Sequence, residues 1–293
     1  MLGCAARQRR FYTLVRLNGS MNSMDQGAGG GVLQQPPKFD DKTARRVEEV
    51  YSTPDEEGQR AFVMEALAPR NGERVLDIGS GPGFVLRDIA EAVGPSGRAV
   101  GVDPTGAMNE LARARCAGLV NVEIKEGDAN SVPAGAGEYD AAVSTQVYEY
   151  VTDIEAALSE LNRVLKPGGR AVILDTDWDS LVWSARDEER ARRILKAWDA
   201  HLANPHLPKS LSAQLRAAGF EIERRDVFTF LNPEYDLERY SCRMLNIIVP
   251  FVIRYGDIPK EEVKAWAREL EELGAEGKYF FSLNRYLFVC RKL

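Results

Sequence analysis

The sequence predicts an α/β fold built on a doubly wound, mostly parallel sheet. Three observations carry that reading. Short apolar runs alternate with helical stretches between residues 74 and 175, a glycine-rich turn joins the first run to the first helix, and an acid, Asp103, closes the second run. Strands separated by helices at this spacing imply right-handed βαβ units, with the sheet buried on both faces.

Taken in order, residues 74–78 form a short apolar run bounded by glycine, which reads as a buried strand. Residues 83–93 place Phe84, Ile89, Ala90 and Val93 at helical spacing. Strands are expected at 98–103, 121–125, 139–144 and 169–175, with helices at 106–116 and 154–165 between them. After Asp175 the pattern changes. Helices are expected at 187–201, 210–218, 237–249 and 260–273, and strands at 220–230 and 279–290. Two helical insertions therefore interrupt the C-terminal half. The longest apolar run, residues 247–253, is broken by Pro250 and falls far short of the roughly 20 residues a membrane span needs.

The chain has 293 residues, with 38 basic and 44 acidic side chains for a net charge of −6, and 44% hydrophobic residues. That apolar content excludes disorder for the bulk of the chain. The acidic balance argues against a dedicated nucleic-acid binder, whose affinity comes from Lys and Arg on phosphates. Four cysteines (Cys4, Cys116, Cys242, Cys290) and two histidines include no CxxC pair. No metal site is expected from them, and no disulfide framework, which points to a reducing compartment.

Residues 1–24 carry Arg7, Arg9, Arg10 and Arg16 with no acid before Asp25, and Leu2, Phe11, Tyr12, Leu14, Val15 and Leu17 fit one helical face. This composition suits an organelle transit peptide. It equally suits an irregular extension ahead of an internal start at Met21 or Met24. Residues 27–38 read as a flexible Gly/Pro linker. The expected organisation is a leader and linker at 1–38 and one domain at 39–293, located in the cytoplasm, or in an organelle if the leader is a targeting signal.

The sharpest feature is Val75-Leu76-Asp77-Ile78-Gly79-Ser80-Gly81-Pro82-Gly83, a strand running into a glycine turn and then a helix. Glycines permit positive φ and close ligand approach, and the helix N-terminus offers free N–H groups. Asp103 ends the next strand, where a carboxylate can accept from vicinal ribose hydroxyls. Two ribose ligands compete, a dinucleotide and S-adenosylmethionine. The dinucleotide fingerprint G-x-G-x-x-G/A would need a small residue at position 84, which is Phe84. Asp77, two residues before the first glycine, would repel a pyrophosphate but attract an ammonium or sulfonium. Charge therefore favours the methyl donor over a nicotinamide cofactor.

These motifs resemble those of class I S-adenosylmethionine-dependent methyltransferases, in particular the ubiquinone/menaquinone C-methyltransferase-like group. Val75–Gly83 resembles the donor loop, Gly101-Val102-Asp103-Pro104 the ribose-binding acid, Glu126-Gly127-Asp128-Ala129 the adenine-binding turn, and Leu165–Arg170 the turn into strand five. The resemblance covers about residues 72–175. It implies a Rossmann-like seven-stranded sheet with an antiparallel last strand, a donor-binding half at 39–175, and an acceptor side at 176–293 whose helical insertions form a lid.

Residue by residue, the resemblance implies that Gly79, Ser80, Gly81 and Gly83 pass the methionine portion and that Asp77 faces the amino group. Asp103 would hold the ribose. Thr105 and Met108 would flank the adenine, Asp128 and the Ala129 N–H would meet its edge, and Gln146 would lie near the methionine end. Helix packing is the competing explanation for Gly83, and core packing for Met108.

For the acceptor, the place after strand four reads Ser144-Thr145-Gln146-Val147, without the Asn/Asp-Pro-Pro-aromatic motif of nucleic-acid N-methylation. A small-molecule acceptor is the remaining class. Asp175, Asp177 and Asp179 beside Trp178 and Trp183 could hold an amine. The apolar stretch 240–252, with Phe228 and Phe230, could enclose an aromatic or lipid-like acceptor. Tyr51, Tyr148 and His206 are the candidates for a catalytic or pocket role, with Glu149 nearby, and His201 is expected at the surface. A methyltransferase fold kept as a non-catalytic binding partner is the alternative function. The sequence leaves the oligomeric state open.

Overall fold

The computed structural model describes residues 41–293. The leader and most of the linker, with the expected domain start near Phe39, lie outside the described residues. Two helices open the described chain, α1 (Asp41–Tyr51) and α2 (Pro54–Leu67). Pro54 starts α2, where its missing N–H costs nothing. Neither helix was foreseen from the alternating pattern.

The alternation follows as expected: β1 (Arg74–Ile78), α3 (Phe84–Val93), β2 (Arg98–Asp103), α4 (Gly106–Arg115), β3 (Val122–Glu126), β4 (Tyr139–Thr145), α5 (Ile154–Val164) and β5 (Leu165–Thr176). The fifth strand starts four residues earlier than expected, because Leu165 pairs with Tyr139 across a register shift. Then come β6 (Val182–Trp183), α6 (Glu188–Trp198), α7 (Pro208–Ala217), β7 (Phe220–Asn232), α8 (Tyr240–Tyr255), α9 (Lys260–Ala275) and β8 (Phe281–Lys292). Helix α8 runs through Pro250 rather than stopping before it, although proline offers no N–H to the preceding turn.

Strand order is β3-β2-β1-β4-β5-β8, with β7 on the far side of β8 and the two-residue β6 pairing with the start of β8. The strands β1 to β5 are parallel, while β8 is antiparallel to both β5 and β7. The mostly parallel, doubly wound sheet and its antiparallel last strand are as expected. The chain reverses its direction of winding between β1 and β4, and in open α/β sheets ligands bind beyond the strand ends at such a switch point.

Both faces are covered. Helices α5 and α7 close one face through Leu158, Leu161, Leu211 and Leu215, and α2 and α3 close the other through Val63, Leu67, Leu86 and Ile89. A further cluster joins α6, α8 and α9 to β7 and β8 through Trp198, Ile248, Trp266 and Phe281. Asp153 caps α5 by accepting from Ala156 N at 3.0 Å, and Asp187 caps α6 by accepting from Arg190 N at 2.9 Å. Among the described residues no helix is long and apolar enough to cross a membrane.

Candidate functional site

The candidate site lies at the carboxyl ends of β1, β2, β4 and β5. The chain leaves β1 through Gly79, Gly81 and Gly83, all with positive φ. A methyl group on each would meet something different. On Gly79 it would collide with the Val147 side chain, on Gly83 it would come within 2.9 Å of Ala112 in α4, and on Gly81 it would approach only the Gly79 carbonyl, at 3.9 Å. Gly83 thus serves helix packing, and Gly81 is the glycine with open space before it.

Asp103 is 7% exposed at the end of β2. It accepts from Gly81 N at 3.0 Å and Thr105 N at 2.8 Å, so one carboxylate ties the glycine loop to the start of α4. Burial raises its pKa, and the two N–H bonds oppose that rise. Asp77 differs. It is 1% exposed, and among the described residues neither oxygen has a partner. Burial, with Asp103 and Asp88 adding repulsion, pushes its pKa up to about 8.

Other unpartnered polar atoms gather at the same edge: Ser80 Oγ, Ser144 Oγ and Gln146 Nε2. Native proteins rarely bury polar groups unsatisfied. With the two oxygens of Asp77 they are buried polar atoms left without partners at this edge among the described residues. Asp128 is exposed in a turn and accepts from Asn130 N at 2.7 Å, with Ala129 buried beneath it. Met108 packs with Ala44 and Val47 of α1, the core alternative weighed for it above.

The acceptor-side expectations need correction. Asp175, Asp177 and Asp179 do not converge on one cation. Asp175 is fully buried and accepts from Val147 N at 3.1 Å, Asp177 binds His206 Nδ1 at 3.1 Å, and Asp179 pairs with Lys209. Trp178 and Trp183 are buried in the core and donate to Glu149 Oε2 and the Tyr279 hydroxyl. Asp177, Asp179 and His206 are close enough to share a metal ion, but the Lys209 ammonium already occupies that carboxylate cluster.

Tyr148 does not fit a catalytic role. Its ring is fully buried among Ile154, Leu158 and Leu211, and burial pushes its phenol pKa far up, away from proton acceptance. His206 sits half-buried beside Asp177 in a loop strapped to the turn after β4 by the Asn204 N to Glu149 O bond. His201 is buried, not at the surface. It stacks on Trp198, and burial pushes its pKa down to about 3.

Sequence reading missed the polar cluster around Arg285. This guanidinium is 2% exposed on β8. It donates to Glu56 Oε1 at 2.7 Å and the Tyr240 hydroxyl at 3.0 Å, bonds Gln59, and lies over the Phe230 ring. The half-buried Tyr51 lies in the field of Glu56 and Arg285, its phenol pKa raised by burial first and by Glu56 second. Glu149 and Asp175 are buried next to one another, with no cation in contact among the described residues, and burial raises the pKa of both. No pattern in the sequence brings residues 51, 56, 149, 240 and 285 together.

Comparison with known proteins gives these features a family. Residues 75–169 match the model of the methyltransferase domain. The chain is 38% identical over 164 residues to an uncharacterized 37.1 kDa protein of transposon Tn4556 from Streptomyces fradiae, covering 56% of this chain and 48% of that protein. It is 35% identical over 122 residues to demethylmenaquinone methyltransferase of Staphylococcus aureus, covering 42% of this chain and 51% of that enzyme. The chain thus spans about half the length of the curated relatives it matches. Among solved structures, phosphoethanolamine N-methyltransferase 2 of Haemonchus contortus shares the fold, with a TM-score of 0.55 at 18% identity over 86% of this chain and 57% of that one. With its ordered motifs, its sheet and this match, residues 75–169 form a methyltransferase domain.

Proposed function

We propose that the chain transfers a methyl group from S-adenosylmethionine to a small-molecule acceptor. The observation that carries this is Asp77, a buried carboxylate with no partner on either oxygen, beside the open face of Gly81. A cationic group satisfies it, and a pyrophosphate does not. Asp103 would take the ribose hydroxyls on the lone pairs left by Gly81 and Thr105. Asp128 and Ala129 would face the adenine edge, and Thr105 its flank. Gly79, Ser80, Gly81 and Gln146 would surround the methionine portion, while Gly83 sets the helix behind it.

When bound, the donor supplies an activated methyl group whose leaving group is a neutral thioether. The chain's part is alignment and exclusion of water. Val47 of α1 and Met108 share an apolar cluster against which Ile247 of α8 packs, which supports a lid over the donor-binding half. The half-buried rings of Tyr51, Tyr150, Phe228 and Phe251 pack on the apolar cluster at this end. With the aspartates committed elsewhere, an aromatic or lipid-like acceptor fits these walls better than an amine. The relative acting on demethylmenaquinone agrees with that choice.

The test is transfer of labelled methyl from S-adenosylmethionine to a panel of hydroxynaphthoquinols, phenols and ethanolamines. Label in the aromatic products supports the reading. Label in the amines alone overturns the acceptor class. Binding of S-adenosylhomocysteine with no product from any of them favours the non-catalytic alternative.

A further inference from the structure

Gln146 carries an unusual backbone. Its φ is +57°, a left-handed conformation that an L side chain seldom adopts and that often marks a functional site. Its N–H is held by Leu174 O at 2.8 Å. Its side chain is buried, and Oε1 accepts from the hydroxyl of Thr176 at 2.7 Å, while Nε2 has no partner among the described residues. Thr176 is fully buried at the end of β5. The next residue, Val147, presses its side chain against Gly79, so the Gln146 turn abuts the glycine loop.

We propose that Thr176 positions the Gln146 amide so that Nε2 donates to the α-carboxylate of S-adenosylmethionine, an inference that rests on the donor reading above. The ammonium and carboxylate of the donor share one carbon. If Asp77 takes the ammonium, the carboxylate is forced near a second negative charge and needs a hydrogen-bond donor. Of the unpartnered side-chain atoms at the carboxyl ends of β1 and β4 and in the loops that follow them, among the described residues, Asp77 offers acceptors only, and Ser80, Ser144 and Tyr148 offer hydroxyls that both donate and accept. At that edge Gln146 Nε2 is the one that only donates. By engaging Oε1, the Thr176 hydroxyl leaves Nε2 as the free end of the amide and keeps the acceptor end occupied. Gln146 therefore touches the donor, and Thr176 is a positioning residue acting through it.

Calorimetric titration with two probes tests this. One is S-adenosylhomocysteine, and the other is its decarboxylated counterpart, 5′-(3-aminopropylthio)-5′-deoxyadenosine, which keeps the adenosine and the amine. Gln146→Met should weaken S-adenosylhomocysteine by about ten- to a hundredfold, the effect of one hydrogen bond to a charged group, and leave the decarboxylated probe unchanged. Thr176→Val should move the same probe in the same direction, and Thr176→Ser should restore it. Equal weakening of both probes, or of neither, overturns the inference while leaving the donor site standing. Failure of the unaltered protein to bind either probe removes the donor reading itself.

Discussion

Asp77 and Asp103 close neighbouring strands at the same sheet edge, yet only Asp103 is held, by the N–H groups of Gly81 and Thr105, while both oxygens of Asp77 are bare. Two acids in one site thus have different tasks. Asp103 organises the loop and still has lone pairs to spare. Asp77 is left with both acceptor oxygens unused among the described residues.

That difference has a pH signature. In the ligand-free protein the Asp77 pKa is raised to about 8, above its value of about 3.9 in an unfolded chain. The folded state then binds the extra proton between those two values, so stability is fully present below the unfolded pKa and is lost as pH rises towards 8. A bound ammonium reverses the preference and drives the proton off. S-adenosylhomocysteine affinity should therefore rise as pH increases from 6 to 8 and then level off, with proton release near pH 7. Calorimetry in two buffers of different ionisation enthalpy reads this directly. Asp77→Asn should bind more weakly and lose the release.

The three loop glycines should separate when replaced by alanine. Gly79→Ala and Gly83→Ala push a methyl into Val147 and Ala112, so both should lower the melting temperature markedly. Gly81→Ala meets open space and costs mainly the positive φ, on the order of 1 kcal/mol. Its larger effect should be on S-adenosylhomocysteine binding. A Gly81→Ala protein with unaltered affinity would remove that glycine from the donor path.

The buried pair of Arg285 and Glu56 ties α2 to β8 and α8. Arg285→Met would leave Glu56 without its cation in a dry site, a loss of roughly 3–5 kcal/mol for a broken buried pair. Adding Glu56→Gln should recover part of it. Chemical denaturation of the single and double variants measures this coupling, and additive losses would show that the two side chains do not depend on each other.

The fold of residues 74–176 was legible because its pattern is local in sequence. Asp77, the glycines and Asp103 sit at the ends of strands whose apolar runs announce themselves. The acceptor side was not. Trp178 and its flanking aspartates looked like an amine cage in the linear chain, but backbone direction sends Asp175 towards the 147–149 turn and Asp177 towards His206. Arg285 meets Glu56 across 229 positions, a pairing no spacing rule reports. His201 looked like the polar end of a helix, yet it is buried because the ring stacks on Trp198, three residues earlier.

Titration of the full chain with S-adenosylhomocysteine, alongside Asp103→Ala and with NADH as the competing ligand, bears most directly on the donor site. One saturable site for S-adenosylhomocysteine is expected, weakened at least tenfold in Asp103→Ala through lost hydrogen bonds to a charged acceptor, with no binding of NADH. Binding of NADH without S-adenosylhomocysteine, or an Asp103→Ala protein of unchanged affinity, would contradict the assignment.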